Sequence, residues 1–331
     1  MTDQMRAWMH RAYGPATGTA LEQVPVPVPR SGEVLLRMTA TSLNAGDVRL
    51  MLGDPLLVRP IFGLTRPKHP IRGMDAVGTV VATGPDVIGI EVGDEVVGEL
   101  QGGGGLGEYA CVPAKRVVPF PPGVEETVAV TLPVAGGTAW QALDLAGVGI
   151  RSRNPRVLVI GASGGVGTFA VQFAVLRGAE VWASCSAQNA GLVEGLGAVR
   201  TFDHRREPLS TLPSGRFDAI IDIAGGIGLR ELRRLAAPEG AVVLVTGDGG
   251  HVLGPIPRMI KAALLSLGRG ARIRSLAAVP RPEVVTKMLE LLAEGRFAPV
   301  IEHEYPFAAG GAALARIEAG HVVGKLVVRV G

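Results

Sequence analysis

Apolar positions along this chain fall into two regimes. In the first third they come in short runs broken by glycine and proline, as in Glu33–Met38 (EVLLRM) and Val77–Ala82 (VGTVVA), which predicts strands between tight turns. GDEVVG, 93–98, predicts a turn entering a short buried strand, and GGGG, 102–105, a loop. VPVPVP, 24–29, lacks an N–H at every second residue, so it predicts an extended edge or linker and excludes a central strand. From about Pro133 the pattern changes. Thr138–Ala146 has helical spacing, Arg156–Ile160 is a compact apolar strand, and Gly164–Leu176 runs at helical period before Gly178. Strand Glu180–Ser184, helix Asn189–Leu196 and apolar strands Ala219–Ile223, Ala241–Thr246 and Ile273–Val279 follow. A helix over Pro282–Gly295 and a closing strand over Lys325–Val330 complete the series. Strands alternating with helices at this spacing predict βαβ units and a parallel sheet, hence an α/β fold whose ends are β-rich.

Composition narrows the class. At 331 residues the chain predicts about two domains and ample core without disulfides or metals. The 47% hydrophobic and 19% charged residues exclude general disorder, and 47 glycines, about twice the usual share, imply many tight turns and close backbone approaches. Net charge is +3 with no dense Lys/Arg stretch, so a nucleic-acid partner is not expected. No apolar stretch reaches the roughly 18 residues of a membrane span, and the opening MTDQMRAWMHRAYG lacks the apolar core of a signal peptide. Cys111 and Cys185 are too few for a disulfide framework and read as free thiols in a reducing cytoplasm.

The motif with chemistry in it is VLVIGASGGVG, 157–167, which sets Gly161, Gly164 and Gly167 between a strand and a helix. Glycine is required where such a turn is tight, where backbone touches a pyrophosphate, and where the helix packs on the sheet. The helix start adds N–H groups and a positive dipole end. A purely structural glycine-rich turn is the plainer reading; the flanking strand and helix favour dinucleotide binding. An NAD site usually carries an acid at the end of the second strand. Here that place holds Ser184-Cys185-Ser186 with no acid before Glu194, which favours NADP(H). The expected cation is missing, since Gln188 and Asn189 stand where Arg or Lys would meet a 2′-phosphate; His204 and Lys325 are the substitutes on offer.

Together with SLNAGD (42–47), GMDAVGTVVATG (73–84), GGLGEYACVP (104–113), LPVAGGTAWQAL (132–143) and EAGHVVGKLVV (318–328), these motifs run along nearly the whole chain. In that order they resemble the medium-chain dehydrogenase/reductase superfamily, in its zinc-free quinone oxidoreductase-like branch, and especially its oxoalkene (enone) reductases. The resemblance implies a GroES-like β-rich catalytic domain built from both chain ends, 1–128 and 281–331, around a Rossmann doubly wound parallel sheet, 129–280. It implies a homodimer paired through the last Rossmann strand. It also implies a cofactor site at Thr138, Gly161, Ser163, Gly164, Gly165, Val166, Gly167, Ser184, Ser186, Asn189, His204, Thr246, Gly247 and Lys325. Zinc members carry a Cys near SLNAGD and a Gly-His-Glu near GMDAVG; this chain has Asn44, Met74 and Asp75 there, so the resemblance implies chemistry without zinc.

For catalysis the candidates are Asn44 and Tyr13. Asn44 offers an amide donor to a carbonyl or ribose oxygen, or is a turn residue beside Ala45-Gly46-Asp47; the resemblance favours the site role. Tyr13 is a hydrogen-bond donor to substrate or a partly buried packing tyrosine. Asp47 reads as a helix cap and Asp75 as a local backbone anchor. Related enoyl reductases place a Tyr about a dozen residues after the Asn, where this chain has Pro55 and Leu56. In the segment Pro255–Leu276, with Arg258, Lys261, Arg269, Arg272 and Arg274, a membrane-surface helix competes with an intersubunit or pocket-covering one. The stripe Ile260, Ala263, Leu264, Leu267 favours the latter. The expected activity is NADPH-dependent reduction of enones, enals or quinones. A cyclase or eliminase with a structural nucleotide and a non-catalytic NADP-binding protein are the alternatives.

Overall fold

The computed structural model describes residues 3–150, 154–203, 205–245, 249–267 and 270–331, which form two compact units, Met1–Gly137 with Pro280–Gly331 and Thr138–Val279. The first unit opens with β1 (Gln4–Met9) and β2 (Ala20–Pro25), an antiparallel pair whose Met5, Ala7 and Met9 face a small core of their own. The proline-spaced run behaves as its missing N–H groups require: only Val24 and Pro25 join β2, which pairs with β1 alone.

β3 (Glu33–Leu43) is followed by helix α1 (Ala45–Leu52), the single turn α2 (Arg59–Phe62), β4 (Asp75–Thr83), β5 (Glu95–Glu99), β6 (Tyr109–Pro113), β7 (Val117–Pro119) and the short α3 (Glu126–Ala129). A single π turn, Leu132–Gly136, buries Leu132, Pro133 and Ala135. It and α3 pack on β3, β4 and β5, so residues 129–137 lie in the first unit and not with the 129–280 segment to which the sequence reading assigned them.

The second unit holds α4 (Gly137–Ala146, from Thr138 on), β8 (Arg156–Ile160), α5 (Gly165–Leu176), β9 (Glu180–Ser184), α6 (Ala190–Gly195) and β10 (Arg200–Phe202). It continues through β11 (Phe217–Asp222), α7 (Leu229–Leu235), β12 (Ala236–Leu244), α8 (Ile256–Leu265) and β13 (Arg272–Ser275). Its six strands are all parallel, in the order β10-β9-β8-β11-β12-β13. Strand order reverses between β8 and β11, and in such sheets ligands bind at the carboxyl ends of the strands beside that switch. The run VLVI, 157–160, is wholly buried because helices cover the sheet on both faces. On α8 the residue turned into the core is Ala262, with Leu265 beside it; Ile260, Ala263, Leu264 and Leu267 face outward.

The chain then returns to the first unit with α9 (Pro282–Ala293), β14 (Ile301–Pro306), α10 (Gly310–Glu318) and β15 (Lys325–Arg329). The seven-stranded sheet reads β14-β15-β3-β4-β5-β7, with β6 on the outer stretch of β3. Val34, Leu36, Met38, Leu43, Val80, Val96, Leu326 and Val328 form its core. β3 is thus flanked by β15 on one side and β4 on the other, and this order builds the polar cluster described next. Among the described residues, no helix is long and apolar enough to cross a membrane.

Candidate functional site

In the second unit, β8 ends at Ile160 and the chain turns through Gly161, whose φ of +83° suits glycine. The N–H groups of Gly161 and Ala162 both donate to the Ser184 carbonyl at the end of β9, at 3.2 and 3.0 Å, fixing the turn to its neighbour strand. Gly164 is the residue before α5 and has extended backbone; no side chain caps the helix there. The N–H groups of Gly165, Val166 and Gly167 therefore have no acceptor within the helix and, with the dipole, form a place for an anion. Ser163, Gly164, Gly165 and Val166 are half-exposed, whereas Gly167 is buried against the turn. A Cβ at Gly164 would meet nothing closer than 3.6 Å, so the space over it is open; a Cβ at Gly167 would fall on the Gly161 carbonyl oxygen and within 2.7 Å of the Ala162 carbonyl group. The geometry fits a pyrophosphate above Gly164 and tight helix–strand packing at Gly167.

The Asn189 side-chain amide donates to the Ser163 hydroxyl at 3.1 Å, joining the turn to the loop after β9. Ser184 is buried and Ser186 half-exposed on that loop, and Thr138 is half-buried in α4. His204, Thr246 and Gly247 lie outside the described residues. The end of β9 alone gives no sign of Asp203: β10 runs in register beside β9, Phe202 opposite Ser184, so Asp203 stands near Ser184 and Cys185. Burial pushes the Cys185 thiol up, and the charges of Asp203 and Glu194 add to it. Arg205 and Arg206 follow on the same loop, both exposed.

The first unit carries a buried polar cluster at one end of its sheet. Asn44 closes β3 and caps α1; its backbone N–H donates to the Asp47 carboxylate at 2.9 Å. Asp47 also accepts from the Gly73 N–H at 2.8 Å, and burial pushes its carboxyl up to about 6 against those two hydrogen bonds and the nearby Arg72 charge. The Asn44 amide nitrogen donates to Asp75 at 2.8 Å. The Lys325 ammonium donates to the Asn44 side-chain oxygen, to the Leu43 carbonyl at 3.1 Å and to Asp75 at 3.4 Å. The other Asp75 oxygen accepts from the Val134 N–H of the π turn at 2.9 Å. Burial drives Asp75 up and Lys325 down, and the attraction between the two opposes both shifts. Lys325 is therefore corrected as a phosphate cation: it opens β15 in the first unit, is 2% exposed, and its three donors are engaged in the cluster. The Asp75 side chain anchors backbone, though at Val134, 59 residues away, and not locally as the sequence suggests, and it is also the counter-charge of Lys325.

The structure does not bring Tyr13 into this cluster's hydrogen bonds. Its hydroxyl donates to the Gly63 carbonyl at 2.6 Å, and its ring lies under the Arg59 guanidinium, 4.6 Å from ring centre to carbon. That is the packing role of an amphipathic tyrosine, holding the 53–63 segment. Asn44 supplies an amide, Met74 a thioether, and Asp75 is engaged with Lys325, Asn44 and Val134, a set that does not fit catalytic zinc. Among the described residues, no group of three or more His, Cys, Asp and Glu side chains is placed to hold a metal.

Residues 30–122 match the family described as alcohol dehydrogenase GroES-like domain and residues 196–328 the family described as zinc-binding dehydrogenase. Over the full length the chain is 36% identical to the chloroplast envelope quinone oxidoreductase homolog of Arabidopsis thaliana, covering 98% of each. It is 30% identical to 2-methylene-furan-3-one reductase of Solanum lycopersicum, covering 98% of this chain and 79% of that one. Among solved structures, the quinone oxidoreductase from Coxiella burnetii superposes with a TM-score of 0.88 at 26% identity, covering 99% of this chain and all of the other.

Proposed function

Because the chain belongs to the medium-chain dehydrogenase/reductase superfamily, in its quinone oxidoreductase-like branch, and is an NAD(P)H-dependent oxidoreductase, we propose that it reduces the activated C=C bond of enones and enals, or quinones, with NADPH. The observation that carries the reading is the uncapped start of α5 over an open Gly164, at the switch of a parallel sheet, a cradle made for a dinucleotide pyrophosphate. A relative named for the reduction of a methylene-furanone, itself an enone, supports the substrate class.

Bound NADPH supplies the hydride; the chain supplies binding, position and charge stabilisation. The α5 start and the Ser163–Asn189 pair hold the phosphate side. Asn44 donates an N–H to the substrate oxygen, where negative charge grows as the C=C bond is reduced. An amide does not titrate, so the proton that completes reduction comes from water, which suits conjugated substrates with stable enolates. The donor set at Asn44, Met74 and Asp75 supports a reaction without zinc. NADPH over NADH is favoured by the absence of an acid from Ser184 to Gln188, with Arg205 and Arg206 as the nearby cations and Asp203 limiting the preference. A homodimer through β13 agrees with that strand pairing only with β12 among the described residues, beside the outward apolar face of α8. A cytoplasmic setting agrees with Cys111 and Cys185 as free thiols.

The test is consumption of NADPH, and of NADH in parallel, against a panel of enals, enones and quinones, with mass analysis of products. Saturated ketone from enone, or hydroquinone from quinone, is the expected result. Nucleotide binding without consumption on any member of the panel overturns the reading.

A further inference from the structure

We propose that Lys325 and Asp75 are positioning residues that fix the polarity of the Asn44 side-chain amide, so that it meets its ligand as a hydrogen-bond donor; this rests on the reductase reading above. The three residues come from far apart in the chain, and the strand order β15-β3-β4 brings them to one end of the sheet, with Leu326 opposite Leu43. Lys325 is 2% exposed, Asp75 0% and Asn44 8%, so Asn44 is the member of the three nearest to solvent.

An isolated asparagine amide is ambivalent, because its oxygen and nitrogen ends are nearly the same size and can exchange places. Here the partners decide. An ammonium can only donate, so it demands the oxygen end; an ionised carboxylate can only accept, so it demands the NH2 end. Lys325 meets the Asn44 oxygen and Asp75 accepts from the Asn44 nitrogen at 2.8 Å. The flipped amide would set NH2 against ammonium and carbonyl against carboxylate, two repulsions at buried sites. Asp75 is itself held by the Val134 N–H at 2.9 Å and Lys325 by the Leu43 carbonyl at 3.1 Å, so the pair cannot follow a flip. The Asn44 nitrogen has a second N–H. Among the described residues its only other hydrogen-bond partner is the Ser42 carbonyl at 3.4 Å, longer than the usual N–H···O range of about 2.7–3.2 Å, so this donor is available to a ligand oxygen. A donor aimed before the reaction costs no reorganisation when charge develops. A buried ion pair is commonly replaceable by apolar residues without loss of stability, so a role in orienting Asn44 gives this one a reason that stability alone does not require.

The experiment combines kinetics with NMR on the full chain. Lys325→Met and Asp75→Asn are made alone, together, and each with Asn44→Ala; Lys325→Met/Asp75→Asn keeps the buried site neutral should the single variants fold poorly. Cyclohexenone and benzoquinone serve as substrates. Lys325→Met is expected to lower kcat about tenfold or more, equivalent to about 1.4 kcal/mol, with the NADPH KM unchanged. In the Asn44→Ala background the same substitution is expected to add nothing, because the residue it acts through is gone. Losses that multiply in the double variant, or a wild-type kcat in Lys325→Met, overturn the proposal. Independently of turnover, the Asn44 side-chain proton that faces Asp75 is expected to be resolved and protected from solvent exchange in the parent and to lose protection in Asp75→Asn. If the parent consumes NADPH with neither substrate, the reductase reading falls, and the NMR result alone judges the polarity lock: an unprotected Asn44 proton on the Asp75 side in the parent refutes it.

Discussion

Gly164 and Gly167 lie three residues apart on the same turn, and alanine should do opposite things at them. At Gly167 a Cβ has no room: it falls on the Gly161 carbonyl oxygen and within 2.7 Å of the Ala162 carbonyl, both backbone, so α5 must move away from β8. Overpacking of this kind costs about 1–3 kcal/mol, which for a unit of this size lowers Tm by roughly 3–10 °C. At Gly164 a Cβ meets nothing closer than 3.6 Å and the backbone is extended at φ −79°, so the fold accepts it. Losing glycine before a helix costs roughly 0.5–1 kcal/mol, and the stiffer unfolded chain returns about as much, leaving Tm nearly unchanged. The added methyl occupies the space assigned to the pyrophosphate. Loss of one charge-assisted hydrogen bond is worth about 1.5–3 kcal/mol, so NADPH binding should weaken roughly 10- to 150-fold. Nucleotide titration by fluorescence and thermal melts read the two effects separately. Parent-like NADPH affinity in Gly164→Ala would refute the cradle, and an unchanged Tm in Gly167→Ala would refute the packing argument.

Two further outcomes are expected. Burial, helped by the charge of Asp75 and opposed by Arg116, pushes the Glu99 carboxyl from its usual 4.5 up to about 7. The folded state thus binds this proton more tightly than the unfolded state, and stability falls as pH rises from 4.5 to about 7. Glu99→Gln should leave stability unchanged at acid pH and raise it by about 1–3 kcal/mol above neutrality, allowing for Glu99 being only partly buried; urea midpoints across pH check this, and a parent-like pH profile sinks it. Turnover should survive dialysis against EDTA, since Asn44 and Met74 supply an amide and a thioether; activity lost to the chelator and restored by zinc would show that a metal site exists.

The second unit was legible in the sequence because its signals are local. An apolar strand, four glycines and the start of a helix stand in eleven consecutive residues, 157–167, and each needs only its neighbours to be understood. The polar cluster was half legible. SLNAGD and GMDAVG pointed to Asn44 and Asp75, but Lys325, a cation opening the apolar run KLVV, gave no hint of its partners. Only the strand order β15-β3-β4 turns it inward. Asp203 escaped notice for a similar reason, since it adjoins Ser184 through the pairing of β10 with β9 and not through the chain. Helical period on α8 revealed an apolar stripe, yet could not tell that Ala262 and not Leu264 faces the sheet. Nor could it show which backbone carbonyl takes the Tyr13 hydroxyl, because the 53–63 segment that supplies it has no periodic pattern.

The position of β15 sets an order of assembly during synthesis. β3 and β4 emerge from the ribosome early, but the strand between β3 and β14 is encoded some 280 residues later, after the whole of Thr138–Val279. The Rossmann unit, whose pairings are among near neighbours in sequence, can complete while the chain is still growing. The GroES-like sheet must wait with an open edge at β3, and its closure is a long-range event of the kind that slows folding. Asn44 and Asp75 wait with it: until Lys325 arrives, a carboxylate and an amide destined for burial have no cation to meet. On the proposed reading, the nucleotide cradle can form before the substrate-orienting cluster is complete, and Lys325 is delivered with the strand that seals the fold.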